Sequence, residues 1–304
     1  MISIVIPVKN GGSELARCLE AIARQRIDEQ VETIVVDSGS SDGSVELARG
    51  HGALVREIPA EEFTHGASRN LGASLAHGEL LVFVSQDAHP VGDDWLASLT
   101  APLRADEGVA GVYGRQLPHE HARPPERFFL DFLYGTKRRT QRAGASAELT
   151  MDTTLFSNVN AALRRELWQR FPFPEDLIMS EDQDWSRRVL LEGYAVVYEP
   201  GAAVRHSHNY TLLGALRRFF DSGVSAESAY LAGDRQSTRV LRAAAVRYAR
   251  EEVAWLWRSG QRRWLPYTAL YEGLKLLGLV LGANHRRLPL PLKRRLSALP
   301  SHWR

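Results

Sequence analysis

The sequence predicts an α/β fold: an open, mostly parallel sheet flanked by helices, followed by a helical C-terminal region. Short apolar runs alternate with helical patterns over the first two-thirds of the chain, and past residue 212 only helical patterns occur. The 304 residues include one cysteine, Cys18, which excludes an intramolecular disulfide framework and a multi-cysteine zinc site. The fold must therefore be stabilised by a packed core.

The N-terminal elements alternate regularly. Apolar runs predict strands at residues 2–7, 31–36, 54–58 and 80–85, and helical spacing predicts helices at residues 13–25, 45–49 and 67–76. Parallel strands joined by helices bind ligands beyond their carboxyl ends. Functional side chains are therefore expected at that edge of the sheet.

The pattern is less regular beyond Trp95. The proline-rich residues 118–125 and the basic residues 137–142 are interpreted as loops or mobile segments over the sheet. A strand at residues 195–198 is expected to end in a turn at Pro200-Gly201, and helices are predicted at residues 212–221, 239–257 and 265–281. We expect two domains, residues 1–210 and 211–304.

The net charge of +2 conceals an asymmetry. Residues 211–304 carry 17 Lys and Arg against 6 Asp and Glu, a balance of +11, whereas residues 1–210 carry 21 against 30, a balance of −9. A basic C-terminal region favours an anionic partner, which could be phospholipid, a phosphorylated acceptor or nucleic acid. No motif supports nucleic-acid binding.

The last 32 residues favour a membrane surface among these partners. They hold seven Lys and Arg, no acidic residue, several leucines and Trp303, a composition typical of an interfacial segment. The apolar stretch at residues 276–285 is too short to span a bilayer, which needs about 20 residues. Because the N-terminus reads as a strand and not as a signal peptide, we expect a cytoplasmic protein at the inner face of the cell membrane.

Two aspartates stand at the ends of predicted strands, Asp37 after Val36 and Asp87 after Gln86. One such carboxylate can bind a ribose or base edge, and another can hold a divalent cation that bridges diphosphate oxygens. The alternative is that each only begins a turn. The glycine motifs of dinucleotide dehydrogenases and P-loop NTPases are absent, which disfavours both classes.

A third acidic feature is the segment Ser180 to Trp185. It is a good helix start, with Ser180 as N-cap and Gln183 closing a capping box, but a carboxylate there also suits a general base. Downstream, His206 and His208 point to opposite faces of an extended segment, so at most one is expected to complete a metal site with Asp87.

Six strings, taken together, resemble the family 2 glycosyltransferases of the GT-A fold. They occur in the family's order across residues 2–208, as Ile4–Asn10, Val35–Ser44, Arg69-Asn70, Ser85–Ala88, Phe156–Ala162 and Glu181-Asp182. The resemblance implies a donor-binding set that consists of Pro7, Asn10, Asp37, Arg69, Asn70 and Gln86. It also implies that Asp182 is the catalytic base and Glu181 its companion.

The metal-binding element departs from the family pattern. Asp87 matches the last aspartate of the family's D-x-D motif, but Ser85 replaces the first. The resemblance therefore implies Mg²⁺ or Mn²⁺ at Asp87, with His206 or His208 as a second ligand.

The strings Phe63–Asn70 and Val84–Ala88 are similar to the rhamnosyltransferase branch, which builds O-antigen and other bacterial surface polysaccharides from dTDP-L-rhamnose. This similarity implies inverting transfer from a nucleotide sugar to a saccharide or lipid-linked saccharide acceptor. A UDP- or GDP-sugar donor, a sugar nucleotidyltransferase and a non-catalytic scaffold remain as alternatives. A processive synthase is disfavoured, because Gln261–Trp264 is one residue short of the Q-x-x-R-W signature.

Overall fold

The computed structural model describes residues 1–143, 153–229 and 235–303, without the side chains of residues 227–229 and 235–244. The chain divides into two compact units. The first comprises Met1–Leu117, Tyr134–Asp176 and Glu181–His206, and the second comprises Pro118–Leu133, Leu177–Ser180 and Ser207–Arg304. The division falls four residues before the expected boundary at 210, and the second unit also takes in Pro118–Leu133, which was expected in the first domain.

In the described part of the chain, nine strands form one sheet in the first unit. The strands are β1 (Ile2–Val8), β2 (Val31–Asp37), β3 (Leu54–Glu57), β4 (Leu80–Val84), β5 (His89–Pro90), β6 (Val109–Leu117), β7 (Arg139–Arg142), β8 (Asn160–Arg164) and β9 (Ala195–Arg205). Their order is β3-β2-β1-β4-β8-β6-β9-β5, and β7 pairs with β9. The central strands β1 and β4 are almost wholly buried.

The predicted α/β class is confirmed. Strands β3, β2, β1 and β4 are parallel, as are β6 and β9. Strand β8 runs antiparallel between β4 and β6, and β5 and β7 are antiparallel to β9. These antiparallel pairings are the part of the sheet that the sequence pattern did not predict.

The helices of the first unit are α1 (Gly12–Ala23), α2 (Ser44–Gly50), α3 (His65–Leu75), α4 (Trp95–Ala105), α6 (Arg165–Arg170) and α7 (Glu181–Leu191). Helix α1 shows why the pattern predicted them. Its apolar side chains Leu15, Leu19 and Ile22 are spaced by four and three residues, so they lie on one face and join the buried core with Ile4 and Val82.

Two segments that were interpreted as loops are loops only in part: residues 118–123 and 137–138 carry no helix or strand, whereas residues 124–125 begin a helix and residues 139–142 form a strand. Helix α5 (Pro124–Leu133) begins at its two prolines, which fit a first helical turn because the N–H groups there need no partner. Residues 137–142 contain β7. The turn expected at Pro200-Gly201 is an irregularity inside β9, where the pairing with β6 moves from Glu199 to Ala203.

The second unit is helical in its described residues. It contains α5, α8 (Leu212–Ala229), α9 (Arg235–Arg258), α10 (Leu265–Ala283) and α11 (Leu290–Leu296). Helices α8 and α10 pack closely at Gly278 and Gly282. A Cβ at either glycine would overlap a carbonyl oxygen of α8, that of Leu216 or that of Phe220. None of the helices in the described ranges combines the length and the apolar composition needed to cross a membrane.

Candidate functional site

The loops after β1 and β2 are tied to each other by Asn10. Its backbone lies in the left-handed region with φ of 49°. The Asn10 N–H donates to Ser40 Oγ at 2.7 Å, and its Oδ1 accepts from the Ser41 N–H at 2.9 Å. The predicted donor-binding residue Pro7 lies in β1 opposite Val36, past the last pairing with β4, where a missing N–H breaks no ladder.

Asp37 is the last residue of β2, and its two carboxylate oxygens have different surroundings. Oδ1 accepts from the Gly39 and Ser40 N–H groups at 2.9 and 2.8 Å, as the turn interpretation expected. Asp37 is only 1% exposed, and its buried Oδ2 has no hydrogen-bond partner. A buried acceptor without a partner is costly, so Oδ2 can accept a hydrogen bond from a ligand.

Gln86 connects the end of β4 to the loop after β1. Its Oε1 accepts from the Lys9 N–H at 2.8 Å and its Nε2 donates to the Lys9 carbonyl at 3.2 Å. Gln86 thus stands at the carboxyl edge of the sheet, as expected for the donor site, and its amide holds the loop in place.

Asp87 and His206 come together at the next position along this edge. Strand β5 begins two residues after Asp87 and pairs with the last residues of β9, and His206 Nε2 lies 3.6 Å from Asp87 Oδ1. The pair is a salt bridge when His206 is protonated and offers two metal ligands when it is neutral. Adjacent ligands of an octahedral ion are about 3 Å apart, so the pair fits one divalent cation.

Gln116 sets the orientation of the His206 ring. Its Nε2 donates to Tyr134 Oη at 2.7 Å and to Ser157 Oγ at 3.0 Å, which leaves its Oε1 as an acceptor. That Oε1 lies 2.9 Å from His206 Nδ1, and with the amide in this orientation Nδ1 carries the proton. In the neutral ring the lone pair is then on Nε2, on the side of Asp87, which is the usual support for a metal-ligating histidine.

His208 belongs to the second unit. Its backbone N–H donates to Glu126 Oε1 at 3.3 Å, and its ring packs against Tyr210. Its part in a metal site stays a prediction.

The predicted catalytic residues Glu181 and Asp182 begin α7. The pKa values of their two carboxyl groups are shifted in opposite directions. Glu181 is buried, and its Oε1 accepts from Arg69 Nη1 at 2.7 Å. Burial is the largest influence and opposes ionisation of Glu181, but the charges of Arg69 and His65 and the hydrogen bonds to the carboxylate together outweigh it and hold the pKa of Glu181 below its ordinary value. Glu181 therefore stays ionised beside Asp182.

Asp182 is only partly buried and has an unusual pKa. Its Oδ2 accepts from the Asn158 N–H at 3.1 Å and its Oδ1 from the Gln183 N–H at 2.9 Å. Burial, and then the negative charge of Glu181, raise the pKa of Asp182 to about 7. A carboxylate with a pKa near neutrality is well matched to general-base work.

Asn158 links both carboxylates, and the sequence analysis gave it no role although it stands in one of the quoted strings. Its N–H contacts Asp182, and its Nδ2 donates to Glu181 Oε1 at 3.2 Å. Gln116 was missed altogether. Neither residue carries a local signal, because each acts through a partner distant in sequence.

Two residues predicted to bind the donor, Arg69 and Asn70, are instead hydrogen-bonded to other parts of the protein. Arg69 is buried and serves Glu181, so a direct contact with the donor stays a prediction. Asn70 is saturated by the protein: Nδ2 donates to the Phe173 carbonyl and Glu175, and Oδ1 accepts from Trp168 and the Phe173 N–H. No donor or acceptor of the Asn70 amide is left for a ligand, so its place does not support donor binding.

The capping box predicted at the start of α7 does not form. Gln183 Oε1 is buried without a hydrogen-bond partner, and Ser180 lies in the left-handed region with φ of 66° instead of the extended conformation of an N-cap.

Comparison with known proteins identifies the family. The family described as glycosyl transferase family 2 matches residues 3–171. The O-antigen chain rhamnosyltransferase RfbN of Salmonella typhimurium is 33% identical over 99% of this chain and 96% of its own length. The O-antigen chain rhamnosyltransferase WbaN of Salmonella anatum is 31% identical over 99% of this chain and 95% of its length.

Solved structures show the same fold. A mannosyltransferase from Pyrobaculum calidifontis, in complex with GDP-Man and Mn²⁺, aligns with a TM-score of 0.61 at 19% identity, covering 94% of this chain and 88% of that one. Residues 1–349 of TarS from S. aureus, in complex with UDP-GlcNAc, align with a TM-score of 0.53 at 18% identity, covering 78% and 68%. The chain is therefore a glycosyltransferase of the GT-A fold and belongs to glycosyl transferase family 2.

Proposed function

We propose that the chain is an inverting rhamnosyltransferase that moves L-rhamnose from dTDP-L-rhamnose onto a saccharide or lipid-linked saccharide acceptor. The donor assignment is supported by two relatives of nearly equal length that are named O-antigen chain rhamnosyltransferases. The observation that carries the mechanism is Asp182, an ionisable carboxylate whose pKa is raised to about 7 at the carboxyl edge of the unit's sheet. The product belongs to a bacterial surface polysaccharide.

The chemistry assigned to Asp182 is removal of the acceptor hydroxyl proton. As that O–H bond breaks, the acceptor oxygen bonds to the anomeric carbon, and the bond from that carbon to the diphosphate breaks on the opposite face. The proton stays on Asp182 and dTDP leaves. The N–H groups of Asn158 and Gln183 fix the carboxylate, and the Arg69–Glu181 pair keeps a negative charge beside it. No covalent enzyme intermediate is needed.

Asp87 and His206 are the residues assigned to a divalent cation, Mg²⁺ or Mn²⁺, with His208 as the further candidate. The mannosyltransferase of similar fold was solved with Mn²⁺ and its nucleotide sugar. The support in this chain is the Asp87–His206 pair and the Gln116 hydrogen bond that leaves the Nε2 lone pair of His206 facing Asp87. A bound cation would neutralise charge that develops on the diphosphate leaving group.

The nucleotide is assigned to the loops after β1 and β2, between Pro7, Asn10 and Asp37. The buried Oδ2 of Asp37 is an acceptor for a base N–H or a ribose hydroxyl. Gln86 holds the loop after β1 through its two hydrogen bonds to Lys9. We place the enzyme at the cytoplasmic face of the cell membrane, where a lipid-linked acceptor and the basic C-terminal region would meet.

Calorimetric titration of nucleotide sugars tests the donor assignment. We expect dTDP-L-rhamnose to bind more tightly than UDP- or GDP-sugars, and Mn²⁺ to strengthen its binding. The Asp37→Asn variant should weaken binding, whereas Asp28→Asn, which alters an exposed carboxylate ahead of β2, serves as the matched control. Preference for a UDP- or GDP-sugar would overturn the donor assignment.

A further inference from the structure

Helix α10 turns an uninterrupted apolar face to solvent. Its exposed positions recur every three or four residues and carry no charged or hydrogen-bonding side chain: Pro266, Ala269, Leu270, Gly273, Leu276, Leu277, Val280 and Ala283. The four large aliphatic side chains of this set are exposed by 53%, 59%, 45% and 52% in chain order. At 1.5 Å per residue, the α10 face extends for about 26 Å.

The charges of the same helix point inward. Lys275 is 6% exposed, and its Nζ lies 2.8 Å from Glu272 Oε1. The ammonium group is also surrounded by aromatic rings at 4.7 to 5.4 Å, those of Phe129, Phe219, Tyr248 and Tyr271. A helix that faces water has the reverse arrangement, with its lysines outside and its leucines inside.

Positive charge borders the α10 face at both ends. Arg262 and Arg263 precede the helix, Arg286 and Arg287 follow it, and all four are exposed. Residues 259–304 contain nine Lys and Arg and a single acidic residue, Glu272, which is paired with Lys275. Within residues 259–304 the face is therefore bordered by positive charge, and the one acidic side chain is paired.

We propose that the α10 face inserts into the interfacial region of an anionic phospholipid bilayer. The aliphatic side chains lie among the first acyl carbons, and the flanking arginines contact headgroup phosphates. A second copy of the chain fits less well, because two such faces would bring their arginines together. Nucleic acid offers phosphates but no partner for the aliphatic centre.

This inference rests on the proposed membrane contact and names the surface that makes it. Trp303, which contributes to the interfacial composition of the last 32 residues, is not part of this surface. The Trp303 ring packs against Phe220 and His285, with the Lys293 ammonium 5.2 Å from its centre, so it is not an outward anchor.

A single fluorescent label tests the insertion in the full-length chain. Because Cys18 is fully buried, Leu276→Cys provides one accessible thiol for a nitrobenzoxadiazole probe. Leu191→Cys is the matched control, since Leu191 is also helical and is 58% exposed against 59% for Leu276. With vesicles of phosphatidylethanolamine and phosphatidylglycerol, the label at 276 should shift to the blue and the label at 191 should not. Phosphatidylcholine vesicles should give a much smaller shift.

Vesicle flotation of the unlabelled chain gives an independent reading. The double variant Leu276→Gln and Leu277→Gln should lower the bound-to-free ratio by about tenfold or more, and Leu191→Gln should leave it unchanged. Equal responses at 276 and 191 would overturn the proposal even if the chain floats. A blue shift at 276 that grows with protein concentration without vesicles would assign the face to a second copy. Transfer to a soluble acceptor, measured in parallel, reports separately on the proposed function.

Discussion

Removing the negative charge of Glu181 should lower the pH at which the enzyme becomes active. The substitution is Glu181→Gln, which keeps an oxygen available to Arg69 Nη1 and Asn158 Nδ2 and changes the shape of the side chain little. Burial and the Glu181 charge together raise the pKa of Asp182 to about 7. Without that charge, the pKa of Asp182 must fall.

The size of the shift follows from Coulomb's law. Two unit charges roughly 6 Å apart interact by about 3 kcal/mol at an effective dielectric constant of about 20, which corresponds to about two pKa units at most. Burial, the larger cause, is unchanged in the variant. We therefore expect the pKa of Asp182 to fall from about 7 to between about 5 and 6.

The assay is kcat/KM for transfer from about pH 5 to pH 9 at constant ionic strength, which reports ionisations of the free enzyme. Asp182 can accept a proton only when it is ionised, so activity rises with pH through its pKa. The rise should occur at lower pH in Glu181→Gln. The control is Glu192→Gln, which removes an exposed carboxylate paired with Arg170 and should leave the profile in place. An unmoved profile, or one shifted to higher pH, in Glu181→Gln would show that the Glu181 charge does not raise the pKa of Asp182.

Three further predictions follow from the same contacts. Arg69→Met should lower the free energy of unfolding by about 3 to 5 kcal/mol in urea titrations, because it leaves Glu181 buried without its ion pair. The control Arg49→Met breaks an exposed pair and should lower the free energy of unfolding by less than about 1 kcal/mol, and equal losses would contradict the prediction. Gln116→Leu should weaken Mn²⁺ binding by about 10- to 100-fold in calorimetry with dTDP present, since the hydrogen bond to His206 Nδ1 is lost; unchanged affinity would exclude Gln116 as a support of the metal site. The Cys18 thiol should react with a disulfide reagent only after unfolding, because burial and then the Asp87 charge raise its pKa; rapid reaction of the native chain would contradict its burial.

Most regular elements of the first 85 residues could be predicted because they bury an apolar pattern of their own period, although β3 has no buried residue. Strand β4, for example, is apolar at every position and is buried on both faces. Strand β7 could not be predicted in this way, since Arg139–Arg142 is polar throughout and becomes a strand only by pairing with β9. Helix α5 was missed because its prolines also signal loops.

In the candidate site, too, some residues could be predicted from the sequence and others could not. Asp37, Asp87, Glu181 and Asp182 could be named from the sequence because carboxylates at strand ends and at a helix start are visible as local patterns. The different roles of Glu181 and Asp182 could not be predicted from the sequence, because they depend on Arg69, which is 112 residues from Glu181. The same holds for Gln116, which is 90 residues from His206.

The most direct test of the central claim is the Asp182→Asn variant, assayed for rhamnosyl transfer from dTDP-L-rhamnose and for dTDP binding. The matched control is Asp184→Asn, two residues along α7, where the carboxylate pairs with Arg188. We predict that Asp182→Asn loses about 10²- to 10⁴-fold in transfer rate, the usual contribution of a general base, while dTDP affinity stays the same and Asp184→Asn remains active. Normal turnover by Asp182→Asn would contradict this prediction.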